Sequence, residues 1–278
     1  MPQQTKPLMD DSPGLASPLG VAMSQGDRQV MTMVAEAIRT RRLLLAYQPV
    51  VLSSDPRRIA FHEGLIRVLD PTGRIIPARD FMAEVEVHEL GREIDCAALE
   101  LGLATLVQHP HLRISLNMSA RSIGYPRWTQ ILRLGLDQGA TVGERLILEI
   151  SETSTMLVPE LVIRFMEDMQ GRNVAFALDN FGAGQTAIRY FKDFMFDMLK
   201  IDGQFIRDIH RNPDNRALAK ALLAIARHFD MFTVAEAVET PEDAECLRTL
   251  GVDCQQGYLF GAPTVKPVWL NSAMAQTG

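Results

Sequence analysis

Short aliphatic runs alternate with helix-period segments along nearly the whole chain, and that alternation most constrains the fold. Runs over 43–51, 59–68, 113–118, 146–151, 174–179, 198–202, 233–238 and 254–260 read as strands. Between them, 28–40, 78–108, 126–138, 159–171, 185–194, 215–229 and 241–250 carry helical spacing, with Gly91 a candidate break in the second. Thr240-Pro241-Glu242-Asp243 combines an N-cap, a first-turn proline and two acids, and Gly251 supplies the stop. Parallel strands each need a helical crossover, so this order predicts an α/β fold: a single (β/α)8 barrel of the TIM type, of about 250 residues. A doubly wound open sheet is the alternative, but the first two strands lack the glycine-rich phosphate loop it would favour. The barrel is modified. Val51 and Ile59 are joined by one short turn, so the first two strands form a hairpin and one strand runs antiparallel.

The chain has 278 residues, enough to bury a core without a disulfide or metal staple. Its net charge of −6 argues against coating polymeric nucleic acid or an anionic membrane. Three cysteines, Cys96, Cys246 and Cys254, form no CxxC pair and read as reduced thiols. No apolar stretch is long enough to span a bilayer and no signal peptide is evident, so the expectation is a cytoplasmic protein. Residues 1–25, rich in proline and without apolar period, are expected to be a disordered tail. The barrel is expected over 28–268 and a second tail over 269–278.

Polar residues recur where such strands should be apolar: Glu63, Asn117, Glu149, Asp179, Lys200 with Asp202, Glu236 with Glu239, and Gln256. A lone strand charge usually faces solvent. Seven consecutive strands each contributing one is a different matter, because a barrel gathers its strand ends into a ring that holds active sites. Converging carboxylates repel unless a cation lies between them, and oxygen donors without a histidine cluster point to Mg²⁺, Mn²⁺ or Ca²⁺. Lys200 also admits a Schiff-base reading, but neighbouring acids would hold it protonated; orienting or electrostatically steadying a metal-bound water fits better. His62 alternates to the strand face opposite Glu63 and reads as packing. Glu86, Glu89 and Glu93 read as a solvated helix face.

Taken in order, Tyr47-Gln48-Pro49, Glu63-Gly64-Leu65-Ile66-Arg67, Asn117-Met118-Ser119, Glu149-Ile150-Ser151-Glu152, Asp179-Asn180-Phe181-Gly182-Ala183-Gly184, Leu199-Lys200-Ile201-Asp202, Ala235-Glu236-Ala237-Val238-Glu239 and Gln256-Gly257-Tyr258 resemble the EAL-domain family over residues 28–268. That family hydrolyses cyclic di-GMP to linear pGpG. The resemblance implies Mg²⁺ or Mn²⁺ held by Glu63, Asn117, Glu149, Asp179 and Asn180, with Glu63, Lys200 and Glu236 in catalytic positions. It further implies that Gln48, Arg67, Asp202, Glu239 and Gln256 contact the dinucleotide, and that Glu152 anchors the loop after Asp179. A homodimer and a regulatory protein partner are further expectations.

The departures bear on activity. The family's loop begins Asp-Asp, and Asn180 replaces the second acid, removing a full negative charge from a second metal's position. Ala183 replaces a threonine, Val68 a tryptophan and Ala237 a glycine, while Glu-Gly-Leu retains the acid of Glu-Ala-Leu. Two readings follow: a metal-dependent phosphodiesterase slowed by Asn180, or an inert cyclic di-GMP receptor acting through a protein partner. A scaffold without nucleotide binding is disfavoured by Gln48, Arg67 and Glu63.

Overall fold

The hairpin forms. In the computed structural model, which describes residues 18–182 and 192–270, β1 (Leu43–Leu52) pairs antiparallel with β2 (Asp55–Leu69) in a register that sets Gln48 opposite Glu63. From β2 the sheet continues in parallel through β4 (Ile114–Met118), β5 (Leu146–Ser151), β6 (Ala175–Phe181), β7 (Met198–Ile201), β8 (Phe232–Ala235) and β9 (Cys254–Gln256). The last of these returns antiparallel to β1 and closes the barrel. A three-residue strand, β3 (Ile75–Pro77), hangs on the outer part of β2 and was not expected from the sequence.

Helices cover the outside: α1 (Pro18–Arg39), α2 (Met82–Val85), α3 (Glu89–Gln108), α4 (Pro126–Leu136), α5 (Val142–Arg145), α6 (Glu152–Thr155), α7 (Pro159–Gln170), α8 (Pro213–His228) and α9 (Pro241–Leu250). Helix α9 has the expected ends: the Thr240 side chain accepts from Asp243 N–H, and Gly251 takes the left-handed conformation at φ 83°.

Four expectations need correction. The first helix begins at Pro18, so 18–25 belong to a helix rather than to a disordered tail; 1–17 lie outside the described residues. The segment 78–108 breaks at 86–88 rather than at Gly91, which lies inside α3 where an added Cβ would meet the Glu86 backbone at 2.9 Å. The last strand stops at Gln256, because the chain at Gly257 runs so close to Val238 that a Cβ would stand 2.0 Å from its carbonyl oxygen. Trp269, assigned to the tail, packs edge-on against Tyr47, His62 and His109, and Leu270 also meets the core. The helix expected over 185–194 falls largely outside the described residues, as do Ala183, Gly184 and 271–278.

The barrel interior explains how the site is placed. Val50, Phe61, Ile147, Ala177, Val234 and Cys254 form one buried apolar cluster, with Met198 packed against it. Side chains alternate along a strand, so the next inward position lies two residues on. Two residues beyond Phe61, Ile147, Ala177, Met198, Val234 and Cys254 come Glu63, Glu149, Asp179, Lys200, Glu236 and Gln256. Because β1 runs the other way, its polar member, Gln48, precedes Val50 instead. An apolar plug thus carries a polar layer directly above it.

Candidate active site

Lys200 is the hub of that polar layer. Its Nζ lies 2.6 Å from Glu149 Oε2, 2.9 Å from Glu236 Oε1, 3.2 Å from Asp179 Oδ1 and 3.3 Å from Glu63 Oε2. Burial alone would push the lysine pKa down, but the four carboxylates outweigh it and hold the ammonium well above its ordinary value. A lysine so charged cannot act as a Schiff-base nucleophile.

Neighbouring amides complete the ring. Asn117, in register with Glu149 on β5, donates from Nδ2 to Glu63 Oε1 at 2.8 Å. Gln256 donates from Nε2 to Glu63 Oε2 at 2.5 Å and to Gln48 Oε1 at 3.2 Å. Gln48 in turn donates to the Gly261 carbonyl at 3.1 Å.

The carboxylates therefore differ. Burial would raise Glu63, but Lys200, Gln256 and Asn117 overcome it and leave its pKa lowered. Glu149 is raised well above the carboxylate range by burial and by Glu63. Asp179 is raised by burial against the pull of Lys200, and burial pushes Glu236 up to about 8. If all were ionised, four carboxylates against one ammonium would leave three negative charges uncompensated. Such a layer needs bound protons or a cation.

Asn180 takes a left-handed backbone, φ 56°, and its Nδ2 donates to Asp179 Oδ2 at 2.6 Å. In this arrangement the amide nitrogen faces Asp179 and the amide oxygen turns away. The Glu152 Oε2 atom accepts Gly182 N–H at 2.9 Å, tying α6 to the end of β6. Ala237 also has a left-handed backbone, φ 52°, where an L side chain costs about 1–2 kcal/mol relative to glycine. Val68 is fully buried in the outer core, so no stacking surface exists there.

Three expected site residues stand outside the inner cluster. Arg67, two inward positions beyond Glu63 on β2, is half-buried, and burial together with the nearby Arg79 lowers its pKa. Asp202 accepts Gln204 N–H at 2.7 Å and caps a short turn. Glu239 is exposed on the turn before α9.

A cleft of about 450 Å³ opens beside the cluster, lined by Glu63, Asn117, Asp179, Asn180, Arg79 and Asp95 among others. Asp95 was missed in the sequence. It lies on the buried face of α3, where it accepts Ser119 N–H at 2.9 Å and Ser122 O–H at 2.6 Å, and burial pushes its pKa up to about 7. An acid among the apolar positions of an amphipathic helix was the available signal.

The donor set suits a hard divalent cation. Glu149 Oε1 is buried with no hydrogen-bond partner among the described residues, and every candidate ligand offers oxygen. As the side chains stand, no three acidic, histidine or cysteine groups among the described residues surround a common metal position; the Lys200 ammonium occupies the point on which the acids converge.

A closed barrel with one reversed strand and a polar layer of this make-up defines a family. The model of the EAL domain matches residues 31–263, and the chain belongs to that family. Cyclic di-GMP phosphodiesterase PdeB of Shewanella oneidensis is 31% identical over 236 residues, covering 83% of this chain and 27% of that protein. NbdA of Pseudomonas aeruginosa, also a cyclic di-GMP phosphodiesterase, is 29% identical over 240 residues, covering 84% and 30%. The chain thus spans less than a third of the length of either relative. Among solved structures, the PaMucR phosphodiesterase in complex with c-di-GMP superposes with a TM-score of 0.78 at 28% identity, covering 87% of this chain and 99% of that one. The FimX EAL domain from Pseudomonas aeruginosa bound to c-di-GMP gives a TM-score of 0.77 at 22% identity, covering 85% and 96%. No described helix is long and apolar enough to cross a membrane.

Proposed function

We propose that the chain is a metal-dependent phosphodiesterase that opens one phosphodiester bond of cyclic di-GMP to give linear pGpG. The observation that carries this reading is the buried layer of one ammonium and four carboxylates, with a Glu149 oxygen at its heart that has no partner among the described residues. The named activities of PdeB and NbdA, and the ligand bound to PaMucR, support cyclic di-GMP as substrate.

Glu63, Asn117, Glu149 and Asp179 would hold Mg²⁺ or Mn²⁺, with Asn180 offering an amide oxygen if its side chain turns. When bound, the cation supplies charge neutralisation at the phosphate and acidifies a water. Lys200 keeps its proton and offers a fixed positive charge beside the reacting centre, where preorganised dipoles and charges count most. Glu236, which burial pushes up to a pKa of about 8, holds a proton at neutral pH. Gln256 and Asn117 hold both oxygens of Glu63 and so fix its plane. Arg67 presents a planar fork suited to a phosphate oxygen pair.

A second reading is favoured by one observation: Asn180 turns an N–H, not an oxygen, toward Asp179. On that reading the chain binds cyclic di-GMP without cleaving it and signals to a protein partner. Purified protein with Mn²⁺ or Mg²⁺ and cyclic di-GMP separates the two. Release of pGpG is expected, and Asn180→Asp should raise the rate about tenfold, about 1.4 kcal/mol in the barrier. Glu63→Ala should abolish it. Saturable binding with no product would replace the first reading by the second, and absence of both would overturn each.

A further inference from the structure

The loop that leaves β7 runs from Asp202 to Asn212 through a chain of single-turn hydrogen bonds before α8 begins. Its far end is fastened to a different loop. His210 donates its backbone N–H to Asp243 Oδ1 at 3.1 Å, and its Nδ1 lies 2.7 Å from the same oxygen. Thr240 Oγ1 donates to the other oxygen, Oδ2, at 2.8 Å. The Asp243 side chain is 5% exposed and that of His210 19%. Burial would raise the Asp243 pKa, but the donors from His210 and Thr240 leave it lowered, so the carboxylate is ionised and His210 carries its proton on Nδ1. One buried carboxylate therefore joins the loop after β7 to the segment that follows Glu236 and Glu239.

The near end of the same loop touches the candidate site. A Cβ built on Gly182 would stand 2.6 Å from Phe205 Cε2, so the ring edge rests directly on the glycine backbone. Gly182 is the residue whose N–H Glu152 holds, three positions beyond Asp179. On the other side, a Cβ on Gly203 would meet the Ala237 methyl at 2.7 Å. The loop is wedged between the ends of β6 and β8, and the pair at its far end sets how firmly.

We propose that Asp243 and His210 form a clasp that holds the loop after β7 in place and, through Phe205, positions the Gly182 turn behind Asp179 and Asn180. His210 is a positioning residue that acts through Asp243 and Phe205; its effect on turnover rests on the phosphodiesterase reading above. The clasp is not the only tie: Arg216 Nη1 donates to the Ile209 and His210 carbonyls at 3.0 and 2.8 Å, and Asn215 Nδ2 to those of Gln204 and Arg207. Those ties fasten the loop to α8 alone, whereas the clasp fastens it to α9.

The test compares wild type, His210→Ala and His210→Asn, the last keeping a donor for Asp243. Amide hydrogen exchange at Gly182 and across 204–209 should quicken about tenfold in His210→Ala and return toward wild type in His210→Asn. With Mn²⁺ and cyclic di-GMP, kcat should fall about fivefold in His210→Ala with KM changed less than about twofold, again with rescue by His210→Asn. Unchanged exchange at Gly182 in a folded His210→Ala protein, or no rescue by His210→Asn, overturns the clasp. Should His210→Ala fail to fold, Phe205→Leu removes the ring from Gly182 and leaves the clasp intact; exchange at Gly182 must then quicken, and constancy there overturns the coupling. If the wild type releases no pGpG, the phosphodiesterase reading fails, while the exchange arm still decides the clasp.

Discussion

Asp95 shows how one misplaced-looking charge can be read. Its Oδ2 accepts from Ser119 and Ser122, so the group is satisfied as an acceptor, yet burial holds its pKa at about 7. The folded value thus exceeds the ordinary 3.8, and the folded protein binds the proton more tightly than the unfolded chain. The linked stability is present in full below pH 4 and is lost as pH rises through about 7. Asparagine at this position keeps an acceptor and cannot ionise. Asp95→Asn should therefore be more stable than wild type at pH 8, by on the order of 2 kcal/mol, with the advantage shrinking toward zero near pH 4. Urea unfolding at the two pH values checks this; a less stable variant at pH 8 would show that the charge itself is wanted. The polar ring was legible because period-two alternation fixes which residues share the barrel interior. The direction of the Asn180 amide was not, since it depends on which atoms Asp179 presents.

At the scale of elements, the strands with strong aliphatic runs were readable and the short or tethered pieces were not. Strand β3 is three residues long and exists because β2 overshoots the barrel and offers it an edge. Strand β9 stops early because Gly257 crosses Val238, a contact invisible to local pattern. The C-terminal end of α3 is a further case of help from a distant residue. A helix leaves its last carbonyls unpaired, and here Arg145, at the end of α5, donates from Nη1 to the Leu106, His109 and Leu112 carbonyls at 2.8, 3.3 and 3.1 Å. Nothing in the spacing of residues 106 and 145 announces that link. Arg145→Ala should lower unfolding free energy by about 2 kcal/mol, since hydrogen bonds to a charged donor are the costlier ones to lose. Chemical denaturation measures the change; Arg145→Lys, with a point charge in place of a planar fork, should recover only part of it.

For the whole molecule, the seam where the barrel closes is short. Strand β9 contributes three pairs to β1 and two to β8, against five each for β4 with β5 and β5 with β6, and three each for β2 with β4 and β6 with β7. The C-terminal strap compensates: Thr264 exchanges two backbone hydrogen bonds with Tyr47, and Trp269 lies edge-on against Tyr47 at 4.9 Å and His109 at 5.0 Å. Trp269→Ala should therefore cost about 3 kcal/mol, in the range for a large aromatic removed from a packed site. The histidines beneath it add a pH dependence. Burial, followed by the charge of His111, lowers the pKa of both His62 and His109 below 6.5. These imidazoles bind protons more readily when unfolded, so the stability they contribute is present above pH 6.5 and is lost as pH falls below it. Opening the strap lets water reach the rings and brings their pKa values back toward the ordinary one. The difference in melting temperature between wild type and Trp269→Ala should thus be largest at pH 7.5 and narrow at pH 5.5. A gap that stays constant with pH would mean that the indole seals the seam without shielding the histidines.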